Sequence, residues 1–143
     1  TNKRAAMLGT ILSRCQPLLF APLETPQVEQ LLQTYAPEVE NTARAAQYSG
    51  GSISGALRAA EALELLENGE FGTVTGPAQE AVLDVMITAL HQKWARCTEE
   101  ERPALQSALH KFEDYKRSIG RNVSPALVLE TALMSLDGLN VKL

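Results

Sequence analysis

Few side chains in this sequence are placed to do chemistry. Arg14 stands in the run Ile11-Leu12-Ser13-Arg14-Cys15-Gln16, where an apolar, helix-compatible stretch meets Pro17. A guanidinium at such a junction offers a planar fork of donors suited to carboxylate or phosphoryl oxygens. Its plainer role is to cap a helix C-terminus, where a cation is favoured. Cys15 and Cys97 are far apart and fit no metal spacing such as C-x-x-C, so both read as reduced, buried thiols. His91 and His110 fall on helical stretches with no metal-ligand spacing to join them, and read as surface or packing residues. The chain has no G-x-x-x-x-G-K-[ST] loop. Gly50-Gly51-Ser52-Ile53-Ser54-Gly55 is glycine-rich, but it joins two helical stretches and lacks the strand of a dinucleotide fingerprint. It reads as a helix-capping turn. The chain presents no catalytic centre.

The elements that must position these residues are helical. The chain has 143 residues, enough for one domain or two small ones with a real core. Aromatics make up 5% of it while alanine and leucine abound, which favours helices packed on aliphatic side chains. A net charge of −4 gives the whole chain no attraction for nucleic acid, so any DNA contact must come from a local patch or from partners. No apolar run approaches the ~18 residues of a membrane span, and no stretch of this sequence reads as a signal peptide. The opening Thr1-Asn2-Lys3-Arg4 lacks a methionine and reads as the start of a fragment of a longer protein.

Residues 5–16 read as a short helix weakened by Gly9, and 18–23 as a brief strand or extended connector. Thr25 is the expected N-cap of the next helix, with Pro26 at its first position. Val28, Leu31, Leu32 and Tyr35 form its apolar face. A helix over 38–48, closed by Gly50-Gly51, should follow, and then a third capped by Ser52 or Ser54. Residues 68–76 hold three of the nine glycines and form the expected linker. Beyond it lie three helices. The first runs from Pro77 to about Arg96 with the stripe Val82, Val85, Met86, Ala89, Leu90 and Trp94. The second has Leu105, Leu109, Phe112 and Ile119 on one face, with Thr98-Glu99-Glu100-Glu101-Arg102 as its acidic first turn. The third starts at Ser124-Pro125 and turns Leu129, Leu133 and Leu136 one way.

Three motifs carry a resemblance to a known family. Residues 8–16, Leu-Gly-Thr-Ile-Leu-Ser-Arg-Cys-Gln, closely resemble the Leu-Leu-Pro-Thr-Ile-x-Ser-Arg-Cys-Gln segment of bacterial clamp-loader ATPases of the AAA+ class. Glycine stands where that family prefers proline, and Thr1-Asn2 is similar to the tail of its sensor 1 strand. "YSGGSISGALRAAE" is similar to the lid motif Gly-Ser-x-Arg-x-Ala-Leu, and "GRNVSPALVLETALMSL" resembles the helix that closes the collar domain.

The resemblance implies a mainly helical, all-α chain. Residues 1–23 would be a remnant of the AAA+ α/β ATPase domain, 24–67 a lid bundle, 68–76 a linker and 77–143 a collar or oligomerisation domain. It implies that Ser13, Arg14 and Cys15 form the Ser-Arg-Cys motif, with Arg14 an arginine finger acting in trans on a neighbour's ATP. Where ATP-hydrolysing members carry a sensor 2 arginine, this chain has Ser54, followed by Gly55, with Arg58 one helical turn displaced. That points to the non-hydrolysing, delta-prime branch. No cofactor is then expected in this chain, ATP and Mg being held by partner subunits. The implied partners are the gamma/tau and delta subunits of DNA polymerase III, with the sliding clamp and primed DNA met indirectly in the bacterial cytoplasm and no membrane. Two other readings stay open. One is an ATP-hydrolysing gamma/tau or replication factor C-like subunit, which an upstream Walker A lysine would mark; the other is an unrelated helical interaction module.

Overall fold

The computed structural model describes Arg14, Gln16, Leu18, residues 20–72, Val74, and residues 76–119 and 123–143. These form six helices and no strand: α1 Thr25–Tyr35, α2 Thr42–Gln47, α3 Ile53–Asn68, α4 Gly76–Trp94, α5 Arg102–Ser118 and α6 Pro125–Gly138. The mainly helical class expected from composition holds. Residues 5–13 and 15 of the expected first helix lie outside the described residues. Of 18–23, the described positions form a connector rather than a strand.

Local chemistry sets where each helix begins. α1 is capped by Glu24, one residue before the expected Thr25, with Pro26 at its second position. With Thr25 as cap, the position three residues on would be Val28, which cannot accept a hydrogen bond. With Glu24 as cap it is Gln27, whose Oε1 accepts the Glu24 N–H at 3.0 Å and completes a capping box. α2 covers only 42–47 of the expected 38–48, because Asn41 caps it by accepting the Arg44 N–H at 3.3 Å. Ser52, not Ser54, caps α3, its Oγ accepting the Gly55 N–H at 3.1 Å. The acidic run ahead of α5 lies outside the helix. Pro103 belongs in a first turn, so α5 starts at Arg102 with Glu101 as its cap. The Glu101 carboxylate accepts the Thr98 N–H in the preceding turn, which holds its pKa below the ordinary value.

Two apolar clusters form the core. The smaller joins Val28, Leu32 and Ala36 to Ala45 and Ala46 of α2 and Ala56 of α3. The larger joins Ala59, Ala62 and Leu63 of α3 to α4, α5 and α6, with Phe112, Leu83, Met86 and Leu129 at its centre. Helix α3 serves both. The core is continuous across residues 68–76: Gly69 caps α3 in the left-handed conformation (φ +68°), Phe71 and Val74 are buried in the larger cluster, and Gly76 opens α4. Tyr35, expected on the apolar face of α1, is 78% exposed, and Ala36 closes that face instead.

Helix α3 enters its capping turn so closely that a Cβ on Gly55 would lie 2.0 Å from the Ser49 carbonyl oxygen. At Gly138, near the end of α6, an added Cβ meets nothing within 4 Å. Urea unfolding should therefore show Gly55→Ala destabilised by about 1–3 kcal/mol, the range of overpacking substitutions. Gly138→Ala should be neutral or stabilised by up to about 1 kcal/mol through the unfolded chain. Equal effects at both sites would contradict this packing.

Candidate functional site

Arg14 is exposed, lies in a turn, and makes no ion pair among the described residues. Its motif neighbours Ser13 and Cys15 lie outside the described residues. Of the described residues that follow, Leu18 is 74% and Phe20 88% exposed. The Leu23 N–H donates to the Gly51 carbonyl at 2.9 Å. Gly51 is required there twice over. Its φ is +76°, and a Cβ would sit 2.5 Å from the Cβ of Pro22. Gly51 and Gly55 thus answer to close backbone approach and Gly50 to its positive φ of +59°, as expected of a capping turn.

Ser54 occupies the first turn of α3 and is exposed. One turn on, Arg58 lines a cavity of about 240 Å³ with Tyr48 and Ser49 from the α2–α3 turn and Asp84 and Thr88 from α4. Ser49 is buried, and its Oγ accepts the Gly51 N–H at 3.0 Å. Burial pushes the Tyr48 hydroxyl above its usual pKa, against the opposing charge of Arg44, so it stays a neutral donor. Asp84 is committed to α5: its Oδ1 accepts from Lys116 Nζ at 2.6 Å, with Glu80 at 3.8 Å from the same ammonium. Burial works against the charge on Lys116. The hydrogen bond to Asp84 and the charges of Asp84, Glu80 and Glu113 outweigh it and raise the pKa above the usual lysine value. Arg58 is then the one lining cation of the cavity. No nucleophile stands there beside a base, so the arrangement can hold a small polar group but shows no machinery for bond cleavage.

The remaining candidates stand apart from this cavity. His91 and His110 are exposed, in line with their surface reading. Cys97 is a half-buried free thiol, less enclosed than expected, whose Sγ lies 3.1 Å from the Trp94 carbonyl oxygen. Among the described residues no group of three or more His, Cys, Asp or Glu side chains could hold a metal, and no helix is long and apolar enough to cross a membrane. Sequence reasoning missed two concave features. One is the Tyr48–Arg58–Asp84 cavity, whose walls come from segments with no common motif. The other is a groove along the outer face of α3, foreshadowed only by glutamates at 61, 64 and 67. No protein-family model, curated protein or solved structure matches this chain.

The Lys116 cluster makes a prediction with a definite sign. A lysine whose folded pKa is raised stabilises the fold fully below its unfolded value, near 10.5. That contribution is lost as pH rises through the higher folded value. The stability difference between wild type and Lys116→Gln should be constant from neutral pH, where its carboxylate partners are ionised, to about pH 10 and shrink above it, as measured by urea unfolding. A difference that grew with alkaline pH would contradict the assignment.

Proposed function

We propose that this chain is the delta-prime-type subunit of a bacterial DNA polymerase III clamp loader, an assembly subunit that helps load the sliding clamp onto primed DNA. The single observation that carries the reading is the near-continuous run from Leu8 to Gln16, followed in order by the lid-like and collar-like motifs. Within it, Arg14 is the finger offered to the neighbouring ATPase subunit. There its guanidinium stabilises charge on the transferring phosphoryl group, while partner subunits supply the ATP and Mg. The exposed, unpaired state of Arg14 among the described residues supports the role, since a finger needs a free tip.

Two further features support an assembly role without hydrolysis. The sensor 2 position is the exposed Ser54, which lacks the charged fork needed to hold a phosphate, and Arg58 is turned to the Tyr48–Asp84 cavity. On α6, Leu127 and Met134 are 60% and 75% exposed and lie two turns apart on one face. An apolar stripe of that kind is what joining gamma/tau and delta subunits through a helical collar requires.

The test uses the full protein carrying this sequence, reconstituted with gamma and delta subunits, clamp and primed DNA. Arg14→Ala should lower ATP turnover by about 10³-fold with the complex still assembled, and Arg14→Lys should recover little of it. Unchanged turnover in an assembled complex would remove the finger role. Failure of the wild-type protein to assemble would overturn the clamp-loader reading itself.

A further inference from the structure

Helix α3 is covered on two faces. Ala56 packs toward α1 and α2, while Ala59, Ala62 and Leu63 pack into the larger core. Its third face lines a groove of about 880 Å³, closed on the other side by residues 38–41 and Arg44. The groove has an apolar floor: Leu57 is 37% exposed, and Ala60 and Val39 are half-buried. Its walls are acidic, with Glu61, Glu64 and Glu67 on α3 facing Glu38 and Glu40. Arg44 is the one lining cation, and it is paired with Glu67. Four carboxylates around the floor therefore have no ion-pair partner among the described residues. Glutamates three residues apart on one helix repel one another in the free protein. Among them Leu57 leaves part of its apolar side chain in water.

We propose that this groove docks a basic amphipathic helix of a partner protein. A helix with an apolar stripe flanked by Lys and Arg matches both properties at once: the stripe covers Leu57, Ala60 and Val39, and the flanking cations meet the glutamate walls. The span from Leu57 to Asn68 is about 16 Å at the helical rise, room for about three turns of such a partner. The sign of the charge turns away nucleic acid and anionic membrane surfaces. A small polycation would satisfy the walls but leave the floor uncovered. The proposal is independent of the clamp-loader reading, because it uses neither Arg14 nor α6.

The experiment is fluorescence anisotropy with the full chain and a labelled helical probe of about 14 residues, leucine at i, i+4, i+7 and i+11 with lysine between. Two control probes carry the same residues scrambled, or glutamate in place of lysine. Saturable binding of the first probe alone is expected, weakening as salt rises to about 0.15 M. The double reversal Glu61→Lys with Glu64→Lys should weaken it by about tenfold or more, and so should Leu57→Ser. The exposed double reversal Glu99→Lys with Glu100→Lys should change it less than about twofold. All these sites are exposed, and circular dichroism of each variant checks that the helices remain. Equal binding of the scrambled probe, an effect of Leu57→Ser no larger than that of the control, or no saturable binding at all would each overturn the proposal. Loss of binding on Leu127→Ser with Met134→Ser, but not on the groove variants, would overturn it too by placing the site on α6.

Discussion

The fold depends on enclosing one helix. From Ala81 to Leu90 no residue of α4 is exposed, and Ala81, Val82, Leu83, Val85, Met86, Ala89 and Leu90 are buried. A helix that is apolar nearly all round cannot rest on a single neighbour, since any uncovered side would leave large aliphatic groups in water. Helix α3 covers one flank, and α5 and α6 cover others. The polar exceptions on α4 fall where helices meet. Asp84 reaches Lys116 of α5, and the Thr88 hydroxyl donates at 2.8 Å to the Asp84 carbonyl one turn back. Among the described residues no buried side-chain nitrogen or oxygen lacks a hydrogen-bond partner, which is what makes such positions tolerable.

Close approach of α3 to α4 follows from side-chain size. Ala59 and Ala62 place methyl groups at the contact, and Leu63 fills the space beside them. The same helix turns Ala56 to the smaller cluster. Small residues on two faces let one helix carry two cores. With α3 and α4 this close, the connection must turn back at once, and Phe71 and Val74 fall into the apolar space beside it. Gly69 and Gly76 stand at the two ends of that connection, and Gly72 lies between them.

The periodic signals in the sequence were legible wherever one neighbour decided burial. Val28 and Leu32 of α1, Leu105 and Phe112 of α5, and Leu129 and Leu136 of α6 all lie where their helical spacing puts them. Spacing failed where a helix has more than one neighbour or runs out. Leu83 lies off the expected stripe of α4 yet is fully buried, because a second flank is covered. Tyr35 has the right spacing but stands at the last residue of α1, past the reach of the smaller cluster. Start positions were misread where a cap depended on a partner three residues away, as with Glu24 and Gln27. At the candidate site, Arg14 drew notice in the sequence by its place at the end of a helix-compatible stretch, three residues before Pro17. The cavity at Arg58 and the groove on α3 could not be read there, because each is assembled from segments that only the packing brings together.

Rigidity and exposure are divided between different residues, which bears on how such a chain could act. The buried groups are almost all apolar, and among the described residues the buried polar ones are Ser49 and Gln79. What remains available to a partner is a lone guanidinium at Arg14, an acidic groove on α3 and an apolar stripe on α6. None of these is a bond-making centre alone, because each lacks a second reactive group held against it. Each can recognise a surface of complementary chemistry, provided its own base does not move. Helices α3 and α6 are both seated on the enclosed α4, so their outer faces are presented by one packed core. The segment after Arg14 has a different restraint, the Leu23–Gly51 hydrogen bond against a glycine that no larger residue could replace. The outer faces of α3 and α6 are thus fixed from behind by apolar packing, and the approach to Gly51 by a single close backbone contact.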